Sequence, residues 1–288
     1  MHNINLEQEC IDLFKAQGMS AQTIRAFQEV IYDYYQRNGR TFAWRQEVTP
    51  YRVVVSEIML QQTQTHRVAQ KFDAFVAQFQ NFDQLASAPF EEVLRLWKGL
   101  GYNRRALNLQ KIAQHIAHQF ESTLPNCPAT LETLPGIGKA TAASICAFAH
   151  NTPTTFIETN IRTVFIYFFY RHSIAISDKE LIPLIEKTVD KDQPRTWYYA
   201  LMDYGVMLKK NVGNLCKLSK HYTKQSKFEG SDRQIRGMIL QALLEQPLIA
   251  EQELMQKIDR PTERISLILN ELYQEGFIQK TPHGLKIA

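Results

Sequence analysis

Cysteine is scarce in this chain. Its four residues, Cys10, Cys127, Cys146 and Cys216, are scattered through 288 positions. They form no disulfide framework, a usage that suits a reducing cytosol. Long apolar runs are missing too. None approaches the roughly 20 residues of a membrane span, so no membrane partner is expected. The start, MHNINLEQEC, lacks a basic stretch followed by an apolar core, so no signal peptide is expected. A large excess of one charge is missing: 33 Lys and Arg stand against 29 Asp and Glu, a net of +4. That balance permits a nucleic-acid partner without demanding one. There is no internal repeat of 20 to 50 residues and no low-complexity tract. Alternating, strand-like runs are nearly absent before residue 276.

What is present is helical periodicity. AQTIRAFQEVIYDYYQR, PFEEVLRLWKGL, RRALNLQKIAQHIAHQF and ELIPLIEKTVDK place apolar residues at three- and four-residue steps. Ser20, Ser56, Ser87 and Ser177 each stand just before such a pattern and read as caps. Residues 1–225 therefore read as all-α. A lysine-rich surface segment, LKKNVGNLCKLSKHYTKQSK, leads into a linker, FEGSD. Beyond it, three helical patterns and the two-stranded FIQKTPHGLKIA predict a winged helix.

Two stretches bear on chemistry. In VVVSEIMLQQTQ (residues 53–64) an apolar helix carries a carboxylate, Glu57, where its buried face begins. A buried charge is costly unless paired or used. The residue is either a solvated helix position or a functional acid. In LPGIGKATAASI (residues 134–145) the two glycines of G-I-G make a tight hairpin. A helix starting near Lys139 would turn its first N–H groups outward, a ready phosphate cradle. The plain alternative is a turn between two helices.

With these blocks assembled, the chain resembles the helix-hairpin-helix (HhH-GPD) superfamily of DNA glycosylases. It is most similar to the A/G-mismatch adenine DNA glycosylases, over roughly residues 20–225. RTFAWR, TPYRVVVSEIMLQQTQT, LWKGLGYNRRALNL, LPGIGKATAASI and the N-x-R-T-V of IETNIRTV carry the likeness. The resemblance implies an all-α, two-lobed glycosylase fold with a small winged helix at its C-terminal end. The expected lobes are residues 1–46 with 151–228, and 47–150 as a six-helix barrel with the hairpin; 229–288 is the winged helix. It implies Glu57 as the general acid that protonates the leaving purine. Glu158 takes the place of an aspartate that stabilises the oxocarbenium-like sugar, and Asn160 supports it. Arg45 would contact the extruded base, with Leu60, Ala140 and Tyr199 lining its pocket. Gln62 and Tyr102 would enter the duplex as wedges. Gln61, Thr63, Arg104, Arg105, Gly136, Gly138, Lys139 and Arg162 complete the expected DNA-binding set. The hairpin at 134–139 is a candidate site for a monovalent cation.

The chain also departs from that pattern. The family's four-thiolate iron–sulfur motif, C-x6-C-x2-C-x5-C, falls here on Lys209, Cys216, Ser219 and Gln225, so no cluster is expected. Where bifunctional members have a Schiff-base lysine and adenine glycosylases a serine or tyrosine, this chain has Ala140. No lyase chemistry follows from alanine. Glu158 is one methylene longer than the aspartate it replaces. Tyr199 stands where the family reads the adenine edge with glutamine or glutamate, which favours stacking over hydrogen-bond reading. The winged helix replaces a domain that recognises 8-oxoguanine. Its Arg260, Arg264, Lys280 and Lys286 suit DNA, yet residues 231–288 carry seven Lys and Arg against eight Asp and Glu, so a protein-docking role weighs equally.

The expected function is a monofunctional, cluster-free glycosylase of base excision repair. It would act on double-stranded DNA with a damaged or mismatched base, in the cytoplasm at the nucleoid. The alternatives are a glycosylase fold kept for damage or structure binding, and a bifunctional glycosylase and abasic-site lyase. The oligomeric state is left open.

Overall fold

Thr154 to Phe169 shows how sequence builds this fold. A loop ends at Glu158, and TNIRTVFIYFF then runs apolar almost all round. It forms a helix, Thr159–Phe169, with eight of its eleven residues buried. A helix apolar on every side belongs at the centre of a core, and there it lies.

The computed structural model describes residues 4–171, 173–224 and 226–288. They fold into helices α1 (Ile4–Gln17), α2 (Ala21–Asn38), α3 (Ala43–Gln46), α4 (Pro50–Leu60), α5 (Thr65–Gln78), α6 (Phe82–Ser87), α7 (Phe90–Trp97), α8 (Arg104–Gln119), α9 (Pro128–Leu131), α10 (Lys139–His150), α11 (Thr159–Phe169), α12 (Asp178–Thr188), α13 (Pro194–Asn211), α14 (Asp232–Glu245), α15 (Glu251–Lys257) and α16 (Thr262–Gln274). A 3₁₀ turn spans Leu215–Leu218. Strands β1 (Ile278–Thr281) and β2 (Gly284–Ile287) pair antiparallel, Ile278 opposite Ile287.

The chain divides into two compact units. The first comprises Met1–Glu57, Pro125–Thr133 and Ile137–Lys224. Its centre is aromatic: Phe27 of α2 meets Phe165, Phe168 and Phe169 of α11 and Trp197 of α13 at tilted, edge-on angles, ring centroids 5.1–5.7 Å apart. Burying each such ring stabilises the fold by about 1.5–3 kcal/mol. Glu7 of α1 is buried here as well, accepting hydrogen bonds from the phenols of Tyr167 and Tyr204. Gly205 lets α13 approach α11. A Cβ there would lie 2.4 Å from the Asn160 carbonyl oxygen.

The second unit comprises Ile58–Leu124, Leu134–Gly136 and Gln225–Ala288. Phe75 of α5 packs on Phe79 and on Trp97 of α7. In its C-terminal part, Ile239, Leu243, Leu269, Leu272, Phe277 and Leu285 are buried among the three helices and the hairpin. This is the element order expected of a winged helix. A backbone bridge from Ile249 to Leu285 adds a third strand-like segment.

These units cut the chain elsewhere than the expected lobes. α10 groups with α13 rather than with the expected barrel, and residues 225–288 group with 58–124. Phe277 and Phe90 account for part of the second grouping, with ring centroids 5.6 Å apart.

Two of the four expected serine caps hold. Ser20 accepts from the Thr23 N–H, and Ser177 forms a capping box with Glu180. The other two do not. Ser56 lies inside α4, its hydroxyl donating to the Val53 carbonyl. Thr49 starts that helix, accepting from the Arg52 N–H just before Pro50, a residue suited to a first turn. Ser87 closes α6 instead of opening α7.

Candidate active site

The first unit gathers one set of candidate residues. On α4, Val53, Val54, Val55, Ile58 and Met59 are buried, and they fix the helix that carries Glu57. Glu57 is partly exposed, set in a recess rather than sealed. Ser144 of α10 donates to its Oε2 at 2.5 Å. Burial pushes the Glu57 carboxyl up to about 7. The Ser144 hydrogen bond and the charge of Arg45 work against that rise, and the neighbouring charge of Glu158 adds to it.

Glu158 is the N-cap of α11. Its Oε1 accepts from the N–H groups of Asn160 (2.8 Å) and Ile161 (2.9 Å), and its Oε2 from the Asn160 side-chain amide at 3.2 Å. Burial raises its pKa, while these hydrogen bonds and Arg162 favour the ionised form. The pair thus has one carboxyl poised near neutrality and one bound by three donors. Such a division suits an acid beside a charge stabiliser.

Arg45 of α3 sits in a fixed frame. Its two Nη atoms each lie 3.0 Å from a carboxylate oxygen of Asp203 on α13. Asp203, 2% exposed, also accepts from the backbone N–H and the Nε of Arg40, both at 2.7 Å. The Arg45 guanidinium lies 4.4 Å from the Tyr199 ring centroid, and Tyr199 stacks on Phe148 at 4.8 Å with an 8° tilt. This corrects two expectations. The Nη donors of Arg45 serve Asp203 and the Arg40 carbonyl, so Arg45 stands as a wall beside Glu57 rather than as an open fork for a base. The Tyr199 ring is packed by Phe148 and Arg45, so it is not open to stack on one. Ala140 is exposed at the start of α10, beside exposed Lys139. Gly138, the N-cap of α10, has no side chain to accept from the first turn of that helix.

Arg162 is corrected as well. Its Nε and Nη2 both hold Asp178 at 2.8 Å, tying α11 to the start of α12. That is a structural ion pair.

The second unit holds the candidate wedge residues. Gln62 and Tyr102 have left-handed backbones, φ 54° and 47°. Such conformations cost energy in residues other than glycine and collect at functional turns. Arg105, 8% exposed, holds both turns. Its Nη1 donates to the carbonyls of Ile58, Met59 and Gln61 (2.9, 2.8 and 2.6 Å). Its Nη2 reaches Thr63 Oγ1 at 2.8 Å and the Gly101 carbonyl at 3.1 Å. Arg105 thus caps the end of α4, where Leu60 is partly exposed, and fastens the residue before Tyr102. It is not a phosphate contact, and Thr63 is its acceptor. Gln61 donates to the Gly136 carbonyl at 3.2 Å, a carbonyl within the candidate cation site. Gly136, φ 77°, has no room for a side chain: a Cβ would meet the Asn108 amide at 2.4 Å.

Tyr102 is further engaged by the C-terminal segment. Arg233 of α14 donates to its hydroxyl at 2.6 Å and lies 5.4 Å from its ring centroid. Arg104 pairs with Glu275, which Arg236 also holds, at 2.5 Å. Of the four cations expected to suit DNA, Arg260 pairs with Glu229, Arg264 with Asp232 and Lys280 with Glu251. Lys286 is exposed.

The iron–sulfur positions do not fit a cluster. Cys216 is buried, its thiol within hydrogen-bond reach of the Thr159 carbonyl (3.2 Å) and the Thr163 hydroxyl (3.3 Å). Lys209 and Ser219 offer no thiolate, and Gln225 lies outside the described residues. Among the described residues no group of three His, Cys, Asp or Glu is placed to hold a metal. No described helix is long and apolar enough to cross a membrane.

Ser144 and Asp203 escaped the sequence reading. Asp203 had a signal: a carboxylate inside the apolar WYYALMDYG raises the same question as Glu57. Ser144 had only its spacing, four residues after Ala140 on the same helix face.

A helical fold, a G-I-G turn leading into α10 and a carboxyl raised by burial beside a second carboxylate are set together in this chain. The chain belongs to the HhH-GPD superfamily, matching the model for HhH-GPD base excision DNA repair proteins over residues 55–191. Within it, the similar relatives are adenine DNA glycosylases. That of Buchnera aphidicola (subsp. Baizongia pistaciae) is 36% identical over 72% of this chain and 61% of its own length. That of Mycolicibacterium smegmatis is 28% identical over 88% of this chain and 93% of its own. Three Buchnera relatives are matched over only 56–61% of their length, less than two thirds. Among solved structures, a thermostable thymine-DNA glycosylase superposes with a TM-score of 0.57 at 25% identity, covering 64% of this chain and 86% of that one.

Proposed function

We propose that the protein is a monofunctional DNA glycosylase of base excision repair. Its substrate is a purine, adenine first, flipped out of double-stranded DNA at a damaged or mismatched site. The observation that carries this reading is Glu57: a carboxyl raised to about 7 by burial, with Glu158 and Arg45 as its charged neighbours. At neutral pH about half of such groups hold a proton to give, and a protonated purine leaves as a neutral molecule. Glu158, whose pKa burial raises while its three donors favour the ionised form, then faces positive charge growing on the sugar. The names of the relatives support adenine as the first base to test.

Gln62 and Tyr102 enter the duplex where the nucleotide leaves, from turns already fixed by Arg105. Lys139 and the first N–H groups of α10 contact phosphate. The C-terminal winged helix acts at the Tyr102 turn, a reading supported by Arg233 and Glu275, whereas the ion pairs on Arg260 and Arg264 speak against α16 as the main reader of DNA. The reaction needs no cofactor, and the work is done at the nucleoid of the cytoplasm. A binding protein without catalysis is the second reading. One feature favours it: Glu158 directs its oxygens at its own helix.

The test is single-turnover base release. Duplexes would hold adenine, hypoxanthine, 8-oxoguanine, uracil or an alkylated base opposite each normal base, with adenine also opposite 8-oxoguanine. Release of one base by the parent and none by Glu57→Gln is expected. Tight binding with no release from any duplex would establish the second reading.

A further inference from the structure

The sequence resemblance gives Ser144 no role, yet its hydroxyl is the closest hydrogen-bonding partner of Glu57. Ser144 is 4% exposed on α10, one turn beyond Ala140 and on the same face. Position 140 carries a methyl, and the hydroxyl stands four residues later.

Ser144 Oγ lies 2.5 Å from Glu57 Oε2 and 3.0 Å from the Thr141 carbonyl oxygen. A serine carries one hydroxyl hydrogen and so donates to one of these at a time. The two acceptors match the two protonation states of Glu57. With Glu57 ionised, the Ser144 O–H points to the carboxylate. With Glu57 protonated, the carboxyl O–H points to Ser144 Oγ, and the Ser144 O–H turns to the Thr141 carbonyl. Neither state leaves the buried hydroxyl or the inner carboxyl oxygen without a partner, which is the costly condition.

We propose that Ser144 is a positioning residue that acts through Glu57, a hydroxyl rotor that lets the acid lose and regain its proton in place. The proposal rests on the reading of Glu57 as the acid. The Glu57 proton moves to a ring nitrogen of the purine. The bond from that base to the sugar C1′ breaks, its electron pair leaving with the base. The Ser144 O–H swings from Thr141 to the carboxylate left behind. Water adds to C1′ and releases a proton that restores Glu57, and the hydroxyl swings back. The other groups around Glu57 are Glu158 at the start of α11, Arg45 on α3 and Tyr199 on α13, a phenol that burial keeps neutral. Only Ser144 holds a Glu57 oxygen by a direct side-chain hydrogen bond of those four.

The experiment is the pH profile of single-turnover base release for the parent, Ser144→Ala and Ser144→Thr. Ser144→Ala removes a donor to the ionised form, so the alkaline limb moves up by about one pH unit. The plateau also falls, on the order of tenfold, because the departing charge has lost its partner. Threonine restores both. An alkaline limb that stays in place in Ser144→Ala, whatever the plateau does, overturns the proposal. Infrared titration of carboxyl-labelled glutamate reads the same couple without substrate. The band lost in Glu57→Gln should titrate higher in Ser144→Ala. If no duplex releases a base, the glycosylase reading fails, and this titration still decides whether Ser144 governs the Glu57 proton. Should Ser144→Ala not fold, Ser144→Cys, a weaker donor of similar size, takes its place with a smaller upward move expected and no move overturning the proposal.

Discussion

Replacing Glu57 with glutamine should stabilise the protein above neutral pH while removing base release. The carboxyl is raised by burial from 4.5 to about 7. In the folded state it therefore holds a proton that the unfolded chain gives up near its ordinary value. Between pH 4.5 and 7 the folded state binds more protons, so rising pH lowers stability across that window. The loss is complete above about 7. At ~1.4 kcal/mol per tenfold it reaches about 3 kcal/mol. Partial exposure of Glu57 and water in the recess reduce that figure, leaving about 1–3 kcal/mol. Glutamine is neutral throughout and escapes the penalty. The parent and Glu57→Gln should then melt close together at pH 5 and diverge at pH 8, the variant higher by about 2–10 °C. Differential scanning calorimetry at both pH values measures this. The same offset at the two pH values would refute the reasoning, because a carboxyl well hydrated in the fold gains nothing from being neutralised.

Other outcomes follow from the ion pairs. Asp203→Ala leaves two arginines around an empty place and should cost about 3–5 kcal/mol in urea unfolding. Arg105→Ala should cost about 3 kcal/mol and Arg105→Lys nearly as much, since an ammonium cannot reach the carbonyls of two turns at once. Tyr102→Phe and Arg233→Ala remove the same hydrogen bond, so each should weaken duplex binding and the double variant should add little to either. A double-mutant cycle by fluorescence anisotropy tests it. Lys139→Ala should lower the slope of log affinity against log salt by about one, and Arg105→Ala should leave it unchanged.

Much of the helical framework was readable from periodicity, and the order of the C-terminal helices and hairpin from pattern and turn residues. Local signals also placed the start of α10 at Lys139 and two serine caps. Ser56 and Ser87 misled because a serine before an apolar run has two uses. It can accept from the turn that follows or bond back to the turn before it, as Ser56 does with Val53. Glu57 was legible because a carboxylate in an apolar helix demands a reason. The duties of Arg45, Arg105 and Arg162 were not. An arginine bound for phosphate and one bound for carbonyls or an aspartate look alike in sequence. What separates them is burial and the distant acceptors that α13, α4 and α12 bring. Ser144 stayed hidden because its partner lies 87 residues away.

Arg105 has a consequence for the thermodynamics of recognition. A loop that orders only on binding charges its lost entropy to the complex, and each immobilised side chain weakens the association. Here the Gln61 carbonyl and the Thr63 hydroxyl on either side of Gln62, and the Gly101 carbonyl before Tyr102, are fastened during folding. Their ordering belongs to the stability of the free protein. Calorimetry of duplex binding should therefore show a heat-capacity change no larger than the contact area explains, without the excess that coupled folding adds.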